Sequence, residues 1–333
     1  MQEDSWTPGR ILDTAGGYWQ PCTLMAAVEL DVFTCIGGEH LTAEEVARRV
    51  GGHRRATACL LDALTAMGLL EKSGGRYRNR DAARRHLCRD APDYMGYMVR
   101  HHADLIPSWS RLKTAVLTGK PVPNPDPPPA DAARRDFLMG MYNIARQVAP
   151  RVAPQIDLSA GRHLLDLGGG PGTWAIYFCR NHPQLHATVC DLPATRPFAE
   201  ETIARYGMSD RIAFADCDYL CRQIPGTYDA AWLSHILHGE GPEDCAAILS
   251  RTVAAMKPGA VVMIHEFILD DDGAGPLFPA LFSLNMLLRT EAGRSYRRSE
   301  LEEMLTTAGV RQVRRLHLDT PNGSDVILGE VAP

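Results

Sequence analysis

The chain lacks several features that would place it in a special class of protein. No uncharged apolar run approaches the ~18 residues that a membrane-spanning helix needs. The first residues, MQEDSWTPGRILD, carry acids and lack the apolar core of a secretory signal. Basic residues are not in excess, because 35 Lys and Arg stand against 40 Asp and Glu. These absences argue against a membrane or a nucleic acid as a partner, and we expect a cytoplasmic protein.

Cysteine is sparse and irregularly placed. The nine cysteines are odd in number, and the closest pair, Cys217 and Cys221, has no second pair at a metal-type spacing. We interpret them as reduced thiols. What the chain does have is 45% hydrophobic residues among 333, enough for a sizeable core and, by length, about two domains.

The first third of the sequence predicts a helical domain. Residues 24–36 carry apolar side chains at helical spacing. Thr42 and Glu45 form a capping box at the start of a further helix, which Gly51-Gly52 ends. Another helix is expected to begin near Arg54. Its apolar face is predicted to comprise Cys59, Leu60, Ala63, Leu64 and Met67.

A hairpin completes a winged-helix pattern. The segment GLLEKSGGRYRNR predicts two strands with a turn at 73–75. A winged helix raises DNA binding as a possible role. Between residues 38 and 90, however, only 11 Lys and Arg stand against 7 Asp and Glu, a weaker basic excess than a dedicated DNA reader shows. A structural or dimerising role is the better interpretation.

A proline-rich segment separates this part from the rest. GKPVPNPDPPPAD (119–131) has six prolines in thirteen residues, which no regular element tolerates. We therefore predict a helical, winged-helix dimerisation domain over 1–120, a connector over 121–135 and a C-terminal domain over 136–333.

Strands and helices alternate in the C-terminal domain, after a helix over 136–156. The predicted strands are 162–167, 186–192, 211–220, 228–236 and 260–269, with two last strands in RQVRRLHLDT and SDVILGEVAP. The predicted helices are 174–180, 198–208, 242–258, 278–288 and 299–310, and Gly259 is expected to end the third of these. This alternation indicates an α/β fold with a Rossmann-like, doubly wound, mostly parallel sheet.

The most informative stretch is LLDLGGGPGTW. A strand delivers Asp166, and Gly168, Gly170 and Gly172 follow it. Glycines let the backbone turn sharply and approach a ligand closely. The loop also fits the dinucleotide pattern G-x-G-x-x-[GA], so a nicotinamide cofactor is an alternative. The acid ahead of the loop, in the spacing D-x-G-x-G-x-G, suits a ligand with an amino group better than a pyrophosphate.

Two more acids follow at the ends of the next two predicted strands. Asp191 is placed to accept hydrogen bonds from both hydroxyls of a ribose, and Asp218 from the amino group of an adenine. Three acids at successive strand ends repel a polyphosphate and favour a cationic nucleoside. S-adenosylmethionine, with its sulfonium, ammonium and ribose hydroxyls, fits this set.

The segment LSHILHGEGPEDC contains two histidines, His235 and His238, three positions apart. Residues three apart in a strand point to opposite faces, and no third ligand motif accompanies them, so we expect no metal site. His235 is expected inside the strand as a packed residue. His238 lies just beyond the strand end, where ligands bind in such sheets.

With these residues in place, the chain resembles the small-molecule O-methyltransferases of the caffeic acid and acetylserotonin type, which include bacterial polyketide-pathway enzymes. The resemblance rests on LLDLGGGPG, CDLP, the Asp218-Tyr219 pair, LSHILH and AGRSYRRSELEEMLTTAGV, in the family's order and over nearly the whole chain. It implies a homodimer made through the N-terminal domain, whose winged helix does not bind DNA. It also implies S-adenosylmethionine as cofactor and S-adenosylhomocysteine as product.

The resemblance implies roles for single residues. His238 matches the family's general base, and Glu266 matches the acid that orients it. Gly239-Glu240 stands where the family usually has Asp-Trp, and Ser295 stands where the plant enzymes have a second acid. The candidate cofactor-binding residues, including the acid ahead of the glycine loop, are Asp166, Gly168, Gly170, Gly172, Asp191, Leu192, Asp218, Tyr219 and Ser234.

Methyl transfer from a sulfonium uses an electrophile that is already activated, so the enzyme mainly aligns the reacting atoms, and no metal is needed. A histidine can take the acceptor's proton during transfer. We therefore expect a methyltransferase acting on a hydroxyl of a small aromatic or enolic metabolite. Alternatives are C- or N-methylation of a related small molecule, or a winged-helix regulator with a cofactor-sensing domain.

Side chains on two predicted helices, all of them apolar or aromatic except one asparagine, are candidates for the walls of the acceptor pocket, although core or dimer packing explains each one equally well. Their character favours an aromatic or polyketide-like acceptor. They are Phe137, Met141, Tyr142, Phe282, Asn285 and Met286.

Overall fold

The computed structural model of the chain describes residues 6–318, 320 and 323–332. The chain divides into two compact units. The first takes in the residues up to 105 together with 127–143, and the second takes in 106–126 and the residues from 144 onward. None of the described helices is both long enough and apolar enough to cross a membrane.

Short helices dominate the N-terminal part of the chain. In chain order they are α1 (Pro8–Gly16), α2 (Trp19–Glu29), α3 (Val32–Ile36), α4 (Ala43–Val50), α5 (Arg54–Ala66), α6 (Asp81–Leu87), α7 (Gly96–Trp109) and α8 (Leu112–Thr118). The strands β1 (Leu41–Thr42), β2 (Leu70–Ser73) and β3 (Arg76–Asn79) form an antiparallel sheet in the order β1-β3-β2. The predicted helix over 24–36 is interrupted at Asp31, which has a left-handed φ of 56°.

The predicted capping box is confirmed at the start of α4. The Thr42 N–H donates to Glu45 Oε2 at 2.7 Å, and the Glu45 N–H donates to Thr42 Oγ1 at 3.3 Å. The helix ends at Gly51, whose φ of 69° favours glycine. The start of α5 at Arg54 and the hairpin turn after Ser73 are also confirmed.

The apolar face predicted for α5 is partly wrong. The buried residues of this helix are Thr57, Leu61 and Leu64, whereas Cys59 is exposed. Positions separated by three and four residues share a helix face, and the set at 57, 61 and 64 faces the core of the first unit. The apolar run of this helix is continuous enough to allow either face, and tertiary packing selects one.

The second unit is built around a larger sheet. Its strands are β4 (His163–Leu167), β5 (His186–Asp191), β6 (Ile212–Asp216), β7 (Tyr228–Ser234), β8 (Met256–Glu266), β9 (Val310–Leu316) and β10 (Asp325–Val331). Within the described residues, the seven strands run in the order β6-β5-β4-β7-β8-β10-β9. Among these described strands, β10 runs antiparallel to β8 and to β9, and the other neighbouring pairs are parallel. The remaining helices are α9 (Ala130–Val152), α10 (Thr173–Asn181), α11 (Arg196–Arg205), α12 (Pro242–Ala254), α13 (Leu277–Arg289) and α14 (Arg298–Thr307). The predicted doubly wound, mostly parallel sheet is confirmed.

Two apolar layers cover the faces of this sheet. Along β4, Leu164 packs in the layer of α10 and α11, and Leu165 packs in the layer of α12 and α14. Trp232 and Leu233 divide in the same way along β7, because neighbours in a strand point to opposite faces. Because both faces of the sheet are covered, we expect a ligand to bind at the carboxyl ends of the strands, beside β4, where the strand order reverses.

Several predicted boundaries differ from the structure, and two of them concern helices α12 and α9. Helix α12 ends at Ala254, and Gly259 lies inside β8 with φ 78°, next to an irregularity in the pairing of β7 with β8. The prediction that this glycine ends the helix is therefore wrong, since its left-handed backbone serves the strand. Helix α9 begins at Ala130, inside the predicted connector. Residues 319 and 333 of the last two predicted strands lie outside the described residues.

Candidate active site

The glycine loop follows β4 at its carboxyl end. Gly168 has φ 64° and its N–H donates to Cys190 O at 2.8 Å, which ties the loop to β5. A Cβ at this position would lie 2.6 Å from Ile236 Cγ2 and 3.5 Å from Tyr219 Cε1. Gly172 has φ 75° at the start of α10. The loop therefore depends on glycine both for its backbone angles and for its close approach to neighbouring chain.

Asp166 is buried beneath this loop. Its Oδ2 accepts a hydrogen bond from the Ala175 N–H at 3.1 Å, while its Oδ1 has no hydrogen-bond partner among the described residues. Burial raises the pKa of this carboxyl to about 7. A buried polar atom without a partner is costly, so the free oxygen suits a cationic ligand such as an ammonium group.

Asp191 ends β5 and holds the glycine loop from the side. Its Oδ2 accepts from the Gly170 N–H at 2.8 Å, and its Oδ1 accepts from the Leu192 N–H at 2.7 Å and from Thr195 Oγ1 at 3.0 Å. Burial raises the pKa of Asp191. A carboxylate has about four lone-pair directions, and with three of them used about one remains for a ligand hydroxyl. Leu192 is half exposed beside it.

Asp218 and Tyr219 lie beyond β6, which ends at Asp216. The expectation that Asp218 ends this strand is wrong, because the chain leaves the sheet two residues earlier. Asp218 Oδ1 accepts from the Leu220 N–H at 3.1 Å, and the ring of Tyr219 approaches Gly168. The segment that follows β6 thus brings the ring of Tyr219 to the glycine loop.

Ser234 is the last residue of β7 and turns toward a buried histidine. Its Oγ lies 2.9 Å from His265 Nδ1, and His265 Nε2 lies 2.8 Å from Ser324 Oγ. Burial holds the pKa of His265 well below its ordinary value. The hydroxyl of Ser234 is therefore already engaged inside the sheet.

The structure pairs His238 with Glu266. His238 lies in a short 3-10 turn after β7, and its Nδ1 is 2.8 Å from Glu266 Oε2. Glu266, the last residue of β8, is buried, and its Oε1 accepts from the N–H groups of Leu237 and His238 at 3.0 and 3.3 Å. Burial by itself raises the pKa of Glu266, but the facing histidines hold it below its ordinary value. A carboxylate bonded at Nδ1 leaves Nε2 of His238 to accept a proton.

His235 is not inside β7, which ends one residue earlier. It has φ 56°, and its Nδ1 lies 3.5 Å from Glu266 Oε2. The expectation that the two histidines point to opposite faces is wrong, because a left-handed residue turns the chain between them. One ring nitrogen from each histidine and one oxygen of Glu266 lie within 4.8 Å of one another, close enough to surround a cation. The absence of a metal here stays a prediction.

Phenylalanine rings surround His238. Phe282 on α13 meets the imidazole edge to face, with ring centres 4.7 Å apart, and Phe267 lies 4.8 Å from Phe282. Phe278 lies 4.8 Å from Phe267. Phe282 was predicted from the sequence, whereas Phe267 and Phe278 were not. Phe267 directly follows Glu266 in IHEFIL and could have been found from that position.

The other candidate wall residues of α13 have packing roles in the second unit. Asn285 Oδ1 accepts from Trp109 Nε1 at 3.1 Å, and Met286 is buried. In the first unit, the candidates lie on α9. There Phe137 is 45% exposed and meets His101 edge to face at 5.3 Å, Met141 is half-buried, and Tyr142 is buried.

The two departures from the pattern implied by the resemblance have different surroundings. Glu240 is half-buried, and burial together with Asp244 and Asp218 raises its pKa. The hydroxyl of Ser295 donates to Pro279 O at 2.9 Å, so this hydroxyl is hydrogen bonded to α13. The amino-acid sequence alone does not show where this hydroxyl points.

Comparison with known proteins places the chain among methyltransferases. A model of the O-methyltransferase domain matches residues 129–311, and a model of the O-methyltransferase dimerisation domain matches residues 12–89. The 3-hydroxy-5-methyl-1-naphthoate 3-O-methyltransferase of Streptomyces sahachiroi is 38% identical over 97% of this chain and 95% of the relative. The tetracenomycin polyketide synthesis 8-O-methyltransferase TcmO of Streptomyces glaucescens is 36% identical over 95% of each chain. The structure of PigF with S-adenosylhomocysteine has a TM-score of 0.88 at 28% identity, covering 98% of this chain and 100% of that one.

The site agrees with these matches. The unpartnered oxygen of Asp166 and the close approach of chain at Gly168 form a cradle for a ligand with a cationic group. The family model spans more than half of the chain, and the relatives above match it nearly end to end. The chain belongs to the O-methyltransferase family, and it is an S-adenosylmethionine-dependent O-methyltransferase.

Proposed function

We propose that the enzyme methylates a hydroxyl of a small aromatic metabolite of the hydroxynaphthoate or polyketide type, with His238 as the general base. The observation that carries the proposal is the 2.8 Å contact between His238 Nδ1 and Glu266 Oε2, with the ring of Phe282 packed edge to face against His238. Aromatic side chains that meet edge to face around a base suit a flat, apolar acceptor. The names of the two curated relatives point to acceptors of the same chemical class.

When bound, S-adenosylmethionine supplies an electrophilic methyl group. His238 accepts the proton of the acceptor hydroxyl at Nε2, since Nδ1 carries a hydrogen toward Glu266. Glu266 keeps this tautomer in place and stabilises the imidazolium that forms. The phenylalanine rings exclude water and orient the plane of the acceptor. General-base assistance of this kind contributes roughly 10²–10⁴-fold.

We assign cofactor binding to the strand ends beside β4. Asp166 faces the amino group, Asp191 the ribose hydroxyls, and Asp218 with Tyr219 the adenine. Gly168, Gly170, Gly172, Leu192 and Ser234 complete the set. For the acceptor we assign Phe282, Asn285 and Met286. An acceptor role for Phe137, Met141 and Tyr142 stays a prediction from the sequence. We further propose a homodimer formed through the N-terminal dimerisation domain.

The test uses 3-hydroxy-5-methyl-1-naphthoate and methyl-labelled S-adenosylmethionine, with products read by mass spectrometry. Wild-type enzyme is expected to add one label to the hydroxyl oxygen, and His238→Ala to lose about 10²–10⁴ in kcat. His182→Ala, a histidine before β5, serves as the control. Wild-type turnover by His238→Ala, with intact folding, would refute the base assignment.

A second candidate, methylation at nitrogen, is favoured by one feature. Glu240, which stands where the resemblance implies a tryptophan, lies half-buried two residues after the base. A carboxylate near the acceptor would attract an amine. Offering aminonaphthoate beside the hydroxynaphthoate separates the two readings, because label on nitrogen alone would overturn the hydroxyl assignment.

A further inference from the structure

His235 occupies an unusual backbone position at the edge of the site. Its φ of 56° lies in the left-handed region, which few residues other than glycine adopt. Its N–H donates to His265 O at 2.9 Å, so the turn is anchored to β8. This conformation brings its imidazole to the same carboxylate that holds His238.

Neighbouring rings fix the imidazole of His235. Phe267 lies 4.3 Å from it, and His265 meets it edge to face at 4.5 Å. Its Nδ1 has no hydrogen-bond partner among the described residues and stands 3.5 Å from Glu266 Oε2. A buried polar atom usually has a hydrogen-bond partner. The position of this nitrogen, close to a charged oxygen, therefore calls for a physical explanation.

The chemistry of the contact decides which nitrogen carries the hydrogen. Two lone pairs repel, so Nδ1 of His235 must present N–H to the carboxylate. The same oxygen, Glu266 Oε2, accepts from His238 Nδ1 at 2.8 Å. Because Glu266 is buried, its charge is poorly screened and acts on both rings.

We propose that His235 is a positioning residue for the base: its Nδ1–H offsets part of the charge of Glu266, so that Glu266 orients His238 without holding it protonated. A base that is trapped as imidazolium cannot take the acceptor's proton. The proposal rests on the proposed role of His238 in the reaction.

The surrounding titratable groups support a neutral donor. Burial lowers the pKa of His235, so the ring is uncharged near neutral pH. Behind it, burial lowers the pKa of His265. Around the base, burial raises the pKa of Glu240, and burial raises that of Cys245 to about 11. None of these four supplies a positive charge that could replace the His235 N–H.

Two substitutions distinguish the effect of the N–H donor from the effect of the left-handed backbone. His235→Asn keeps an N–H close to the position of Nδ1, and asparagine tolerates left-handed backbone better than most residues. His235→Gly keeps the backbone and removes the donor. Gln312→Gly is the matched control, because Gln312 also has a left-handed φ, 53°, and lies exposed on β9.

The readouts are the pH profile of kcat/KM with 3-hydroxy-5-methyl-1-naphthoate and the titration midpoint of the His238 ring protons by NMR, both with a chelator present. In His235→Gly, we expect the acid limb and the midpoint to move up by about 0.5–1 pH unit. On the acid side this is about a three- to tenfold loss of kcat/KM. His235→Asn and Gln312→Gly should keep both at the wild-type pH.

A folded His235→Gly protein with a wild-type NMR midpoint would overturn the proposal. Equal shifts in the asparagine and glycine variants would also overturn it, because they would trace the effect to lost ring packing. The NMR reading needs no turnover, so it is independent of the acceptor. A fully active His238→Ala enzyme would instead refute the base assignment.

Discussion

Replacing Glu266 by glutamine tests how the structure prepares the base. Oε1 accepts from the N–H groups of Leu237 and His238 at 3.0 and 3.3 Å, and the amide oxygen of glutamine can keep both bonds. Oε2 accepts from His238 Nδ1 at 2.8 Å. In the variant an NH2 group takes this second position, and two N–H donors cannot hydrogen bond to each other.

The imidazole must then change its tautomer. Nδ1 becomes the acceptor, and the hydrogen moves to Nε2, the nitrogen that would face the substrate hydroxyl. That nitrogen can no longer take a proton, and the imidazolium has lost its counter-charge. Loss of a general base costs about 10²–10⁴-fold, and the same tautomer reversal in a Ser-His-Asp triad costs about 10⁴. We therefore expect kcat to fall by about 10²–10⁴.

The assay is kcat with labelled S-adenosylmethionine at saturation, beside Glu243→Gln. Glu243 is exposed in the first turn of α12, so it receives the same chemical change outside the site. Calorimetric cofactor affinity and thermal melting show whether the fold and the cofactor site survive. A Glu266→Gln enzyme that turns over as fast as the Glu243→Gln control would refute the reasoning.

Three further predictions follow from single contacts. Gly168→Ala should weaken S-adenosylmethionine binding by about tenfold or more, because its Cβ meets Ile236 at 2.6 Å on a left-handed backbone; calorimetry showing wild-type affinity would contradict this. Burial raises the pKa of Asp166 to about 7. The free energy of unfolding therefore falls by about 1.4 kcal/mol per pH unit as the pH rises from ~4 to about 7. Without cofactor, Asp166→Asn should therefore raise Tm more at about pH 8 than at about pH 5, and equal gains would argue against it. Thr42→Ala should lower the free energy of unfolding by about 1 kcal/mol in urea, since the box with Glu45 is lost; an unchanged midpoint would contradict it.

The sequence predicted most of the second unit because its signals are local. Short apolar runs mark the strands, and Asp166 and Asp191 follow them at the positions where the structure has the carboxyl ends of β4 and β5. The buried face of α5 was predicted only in part. Leu64 is buried and Leu60 and Met67 pack against the core, but the core of the first unit selects Leu61 over Cys59. Gly259 illustrates a second limit, since a glycine after a helical run also suits an irregular strand.

The turn after β7 shows why the site itself needed a structure. Nothing in LSHILH marks His235 as left-handed, and strand alternation predicts that its side chain points away from His238. The left-handed turn reverses that outcome and brings both rings to Glu266. Ser295, which stands where the resemblance to the plant enzymes implies a second acid, donates its hydroxyl to Pro279 O of α13.

These two findings bear on each other. Among the described residues, Glu266 is the carboxylate that hydrogen bonds to His238, and it must orient the base alone. A single buried carboxylate attracts a proton onto a neighbouring histidine more strongly than an exposed one, because little water screens it. A second imidazole on the same oxygen moderates that attraction without adding a charge. We expect His235 to moderate the charge of Glu266 in a chain that carries Ser295 where the resemblance to the plant enzymes implies a second acid. Introducing an acid with Ser295→Asp should then lower kcat/KM by a larger factor in His235→Gly than in the wild type.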